Sequence, residues 1–153
     1  MIAPICTPPN TEFGLASEQV KEAFVIAGDA ALALGDRSKL EELLGVIEAL
    51  PAGRSRRFLA AQSLRFRARL AADHKTDSAD QHFAESAALL REIGMPFYLA
   101  VVQVEHAELL AASGRTGEAE PLLAEARETF DSLRATPWLA RVDAVGAEAQ
   151  TAA

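Results

Sequence analysis

Six arginines within sixteen residues, Arg54, Arg56, Arg57, Arg65, Arg67 and Arg69, are the densest chemistry in the chain. Guanidinium groups in such a belt could contact phosphates, and phosphate contacts dominate nucleic-acid affinity. The helical period works against that use. At about 100° per residue Arg65 and Arg69 share a face, while Arg67 and Arg56 fall roughly opposite. The positive charge is thus split, and no aromatic residue alternates with it on an exposed face, since Phe58 and Phe66 belong nearer the apolar side. Pairing with acidic neighbouring helices is the better reading of the belt, and a nucleic-acid-associated regulator is the alternative it leaves.

The other reactive side chains form no constellation. A phosphate loop needs Gly followed by Lys-Ser/Thr, and the three lysines follow Val20, Ser38 and His74. The histidines at 74, 82 and 106 have no ligand partner at helical spacing, and there is no His-Glu-x-x-His. His106 sits in the stripe Leu99, Val102, Leu109, Leu110 and reads as a core histidine with one hydrogen bond. Glu105 and Glu108 beside it could suggest acid–base work but read as solvated helix-face charges. No catalytic, metal or cofactor residue is assigned, and the chain is expected not to be an enzyme.

The positioning elements follow from composition and period. At 153 residues and 50% apolar, one domain can bury a real core. The net charge of −7 argues against general nucleic-acid affinity, yet it is uneven: 3 basic and 8 acidic residues in 1–53, 7 and 1 in 54–76, 5 and 13 in 77–153. The single Cys6 cannot form an internal disulfide. With no basic leader and no long apolar run, a cytoplasmic location and no membrane association are expected.

Residues 1–14, with Pro4, Pro8, Pro9, Asn10 and Gly14, read as a flexible arm. Helical stripes then predict seven helices and no strand: about 15–34, a segment opened by a Ser38-Lys-Leu-Glu41 capping box, about 56–72, about 78–93 after an Asp77 cap, about 97–113, about 118–133, and one from Pro137 with Thr136 as cap. Gly117 as the cap of the sixth places Pro121 within its first four positions, where no donor is lost. A frayed tail is expected over 148–153, leaving 15–147 as the folded domain.

Turns inside successive helix pairs recur at Gly35, near His74 and at Gly114, so their spacing is nearly constant. A helix–turn–helix period of about 40 residues marks a stacked helical repeat. The tetratricopeptide template places small or apolar residues at Ala107, Ala119, Leu123 and Ala126, at Gly28, Leu40, Leu44 and Ile47, and at Ala79, Phe83 and Ser86. Its Trp, Tyr and terminal Pro are absent. The expected fold is all-α, a tetratricopeptide-like stack of three antiparallel helical hairpins plus a C-terminal capping helix; a plain antiparallel bundle is the alternative.

In the C-terminal part of the chain, Pro96-Phe-Tyr-Leu-Ala, Glu105-His-Ala-Glu-Leu-Leu, Gly114-Arg-Thr-Gly-Glu-Ala-Glu-Pro-Leu-Leu-Ala-Glu-Ala-Arg and Ala135-Thr-Pro-Trp-Leu resemble the C-terminal tetratricopeptide-like region of large bacterial signalling ATPases. These are adenylate/guanylate cyclase-linked proteins and large ATP-binding transcriptional regulators. The resemblance implies a regulatory repeat region, with any cyclase or ATPase activity in other domains, and a protein partner or neighbouring domain as its target. Such stacks line their concave face with the first helix of each pair. That puts Val101, Val104, Glu108, Ala111 and Ala112 on a candidate partner groove bordered by Arg65 and Arg69. The groove suits an amphipathic helix or an acidic partner. The alternatives are a small ligand sensed in the groove, or a groove filled by the closing helix or by a second copy in a homo-oligomer.

Overall fold

The computed structural model describes residues 18–49, 56–73 and 78–151, and these residues form seven α-helices and no strand. They are α1 (Glu18–Leu34), α2 (Arg37–Glu48), α3 (Arg56–Asp73), α4 (Ser78–Glu92), α5 (Pro96–Ala112), α6 (Thr116–Ser132) and α7 (Thr136–Thr151). The arm 1–14, Cys6, Arg54, His74 and the Asp77 cap lie outside the described residues. The chain divides into two compact units, Met1–Arg56 and Arg57–Ala153.

In the first unit α1 packs on α2. Phe24, Val25 and Ala31 face inward from α1, and Leu40, Leu44 and Ile47 from α2. The junction is a glycine turn. Gly35 has φ +68°, the left-handed region that only Gly enters without steric cost, and the Asp36 amide bonds back to the Ala31 carbonyl at 2.9 Å. Asp36, not Ser38, caps α2: its carboxylate accepts from the Lys39 amide at 3.0 Å. Ser38 is already the second helical residue, so the expected Ser38/Glu41 box gives way to a cap two residues earlier.

In the second unit one turn design repeats three times. Gly94, Gly114 and Arg134 all have positive φ, at +69°, +74° and +54°. Each is followed by an amide that reaches back five residues: Met95 to Leu90 at 3.0 Å, Arg115 to Leu110 at 2.8 Å and Ala135 to Phe130 at 2.8 Å. This is the Schellman closure of a helix C-terminus. The carbonyls it uses belong to Leu90, Leu110 and Phe130, whose side chains are all buried. The turn thereby locks each helix end to the core and starts the next helix within three residues.

The buried faces of α4 and α6 match each other. α4 buries Ala79, Phe83, Ser86 and Leu90, and α6 buries Ala119, Leu123, Ala126 and Phe130, the same positions one repeat later. Each keeps one apolar stripe inside and a charged face in water. α5 differs. Leu99 through Glu105, Ala107 and Leu110 are buried, so it is enclosed nearly all round by α3, α4, α6 and α7. Its core partners are Val142 and Val145 of α7 and the stripe of α6. An aromatic group closes that end: Trp138 stacks on Phe130 (centroids 5.3 Å, 16°), and Phe97 meets both edge-on.

Two boundaries differ from expectation. α6 begins at Thr116, with Arg115 before it, which places Pro121 inside the helix at its sixth position. Pro121 and Gly117, whose carbonyl loses its donor, are both exposed, so water can satisfy it. At the other end α7 runs through Gly146 to Thr151, so residues 148–151 of the expected tail belong to the helix. No helix of the described residues is long and apolar enough to cross a membrane.

Candidate interaction face and polar clusters

Helices α3, α5 and α7 carry an arginine–glutamate ladder. Arg65 donates to Glu105 through two parallel bonds, Nε to Oε2 and Nη2 to Oε1, both 2.7 Å. The two side chains are each only 3% exposed. Arg65 also reaches Gln62 Oε1 at 3.3 Å and lies 5.1 Å from the Phe66 ring centre. One turn on, Glu108 accepts from Arg141 at 2.6 and 2.8 Å and from Arg69 at 3.3 Å. Arg141 lies over the Trp138 ring at 5.1 Å and stands 3.9 Å from Glu105. Burial weighs against charge on Arg141, but the Glu108 bonds and the charges of Glu108 and Glu105 outweigh it, raising its pKa above the ordinary arginine value.

The expected site residues are therefore distributed as follows. Val101 and Val104 are 2% and 0% exposed and belong to the core shared with α7. Buried in one cluster with Val142 and Val145 of α7, they do not floor an open groove. Glu108 and Ala111 are half-buried and Ala112 is exposed, so of the expected groove residues on α5 only those at its C-terminal end are accessible. Arg65 is buried and spent on Glu105, while Arg69 stays at the border, 34% exposed. Glu105 is not a solvated helix-face charge as expected; it is enclosed and matched by a planar guanidinium, the arrangement that makes a buried carboxylate tolerable. Arg57 pairs with Glu92, so Arg57, Arg65 and Arg69 of the belt bind carboxylates of neighbouring helices.

A second cluster ties α4, α5 and α6 together. His106 stacks on the buried Phe83 ring (centroids 5.2 Å, 19°), and its Nε2 lies 3.0 Å from Asp80 Oδ1. An ionised carboxylate only accepts, so Nε2 carries the proton in this pair. Asp80 Oδ2 accepts from Arg115, which donates two further bonds to Glu118 at 2.7 and 2.8 Å. Burial acts to raise the Asp80 pKa, but the bonds from Arg115 and His106 prevail and hold it below the ordinary carboxylate value. Glu118 is lowered chiefly by its Arg115 bonds, and Arg115 is raised in return. These side chains rim a cleft of about 440 Å³ whose walls include Ala84, Leu110 and Leu122.

Several buried polar atoms have no hydrogen-bond partner: Gln62 Nε2, Ser63 Oγ, and both amide atoms of Gln103, which is 2% exposed. No group of three or more His, Cys, Asp or Glu side chains able to hold a metal ion occurs among the described residues.

Sequence reasoning missed Arg141, Asp80, Arg115 and Glu118 as site residues. A signal existed for the ladder: Arg65 and Glu105, and likewise Arg69 and Glu108, are opposite charges about one repeat apart. The α4–α6 cluster had none, because Asp80 and Arg115 are brought together only by the packing of α4 beside the α5–α6 turn. Among the described residues the chain is all-α and carries two ionic clusters that join its helices. No protein-family model, curated protein or solved structure matches the chain.

Proposed function

We propose that this chain is a non-catalytic helical-repeat module of the tetratricopeptide-like kind, used for protein–protein interaction or intramolecular regulation in a cytoplasmic bacterial signalling or transcriptional regulator. The observation that carries the reading is the return of the same buried positions one period later, Ala79, Phe83, Ser86 and Leu90 in α4 and Ala119, Leu123, Ala126 and Phe130 in α6. Each helix pair alone would leave an apolar face open, and repeating the pair covers it. The resemblance of residues 94–139 to the repeat region of large signalling ATPases agrees with that role. The ionic side chains support it too, since Arg57, Arg65, Arg69, Arg115 and Arg141 hold helix to helix.

With Val101 and Val104 buried, the contact surface of this proposal contracts to Ala111, Ala112, Glu108, Arg69 and Arg141 at one end of α5. The test is affinity capture from a bacterial extract with the wild-type chain and with an Arg69→Glu/Ala112→Arg variant. Neither position is fully buried, so circular dichroism should be unchanged. A defined protein retained by the wild type and lost by the variant is the expected result. Equal retention by both, or none by either, would remove this surface as the site of function.

A further inference from the structure

The cleft between α4, α5 and the start of α6 is used by nothing described so far. Its volume of about 440 Å³ falls in the range of small-molecule sites, roughly 300–1,000 Å³. Its walls are apolar at Ala84, Leu110 and Leu122, and the His106 ring forms part of the surface, held flat by Phe83. Its rim is charged. Asp80 and Glu118 present two carboxylates against the single guanidinium of Arg115, leaving one net negative charge when the imidazole is counted neutral. The rim carboxylates retain lone pairs, since each oxygen accepts one bond in the structure.

From this combination we infer that the cleft binds a small organic amine, an ammonium group at the Asp80–Glu118 rim with its apolar body on Leu110, Leu122 and Ala84. An anion of the same shape meets two carboxylates beside a guanidinium that both already engage, and is disfavoured. A neutral analogue keeps the apolar contact and loses the charge attraction. Because the cleft is walled by three helices, the ligand would raise the stability of the fold in proportion to its occupancy.

The probe is 2-phenylethylammonium, compared with phenylacetate and 2-phenylethanol, followed by amide chemical shifts of the folded chain. Saturable shifts confined to residues 80–84, 106–110 and 115–122 are expected with the amine, at least fivefold weaker with the alcohol, and absent with phenylacetate. Glu118→Gln, at an exposed position, should weaken the amine about two- to fivefold, the range of one exposed ion pair. Ala84→Phe, also exposed and compatible with the helix, should fill the cleft and abolish the shifts. Binding of phenylacetate as tight as the amine, amine binding that survives Ala84→Phe, or no saturation with the amine at millimolar concentration would overturn the assignment.

Discussion

Arg65 and Glu105 show what a buried charge requires. Both are 3% exposed, and each would be severely destabilising alone. Paired through two 2.7 Å bonds they are tolerated, while an apolar pair of similar volume would do as well or better. Arg65→Met or Glu105→Leu alone should each cost about 3–5 kcal/mol, by leaving one charge unmatched, whereas the double variant should recover most of that loss. Urea denaturation of the four proteins measures it, and additive losses would show that the pair is not coupled. Asp80 and Glu118 make a different prediction. Their carboxyls titrate below their ordinary values of 3.8 and 4.5 in the folded chain. The unfolded chain therefore binds protons first as pH falls. Their contribution is complete above about pH 4.5, and it is lost as pH drops through the folded-state values. Replacing Arg115 with Gln should lower the plateau above about pH 4.5 and leave the acid end little changed, so that the limb in melting temperature measured down to about pH 3 becomes flatter.

Helix ends set the geometry at the next scale. Three consecutive turns in the second unit use the same five-residue closure, and two of them place Gly at the left-handed position. Arg134 occupies the third at φ +54°, where a side chain meets its own backbone. Arg134→Gly should stabilise the fold by about 0.5–1 kcal/mol, the relieved strain exceeding the extra freedom given to the unfolded chain. The same substitution inside a helix would destabilise, so a loss in the denaturation midpoint would show that Arg134 has a contact worth more than the strain. Pro121 behaves consistently with this local logic, since its missing donor falls near the start of α6 where Gly117 can turn to water.

For the molecule as a whole, α7 decides whether the second unit has a closed end. Val142 and Val145 complete the core of α5 and α6, Trp138 stacks on Phe130, and Arg141 satisfies Glu108. Ending the chain at Ala135 uncovers Val101, Val104 and Phe130 together and leaves Glu108 with only the 3.3 Å bond from Arg69. The truncated chain should melt at lower temperature and associate, as seen by light scattering against the full chain; a monomer of undiminished stability would mean that α7 is dispensable.

What the amino-acid sequence determined by itself was local and periodic. The 3.6-residue stripes located the helices, Gly35, Gly94 and Gly114 located their ends, and the repeat period selected Leu40, Leu44, Ile47, Ala79, Phe83, Ala119, Leu123 and Ala126, all of which are buried. These are properties a segment carries whatever its neighbours do. Tertiary structure alone decided the fate of α5. A helix apolar on most sides, with Gln103, Glu105 and Glu108 interspersed, does not reveal which flank will face a neighbour. The packing of α7 turned the expected groove floor at Val101 and Val104 into core, and the arrival of Arg65 turned Glu105 from a surface charge into a buried ion pair. Likewise Asp80, His106, Arg115 and Glu118 meet only because α4 lies beside the α5–α6 turn, a relation between distant segments that no local period encodes.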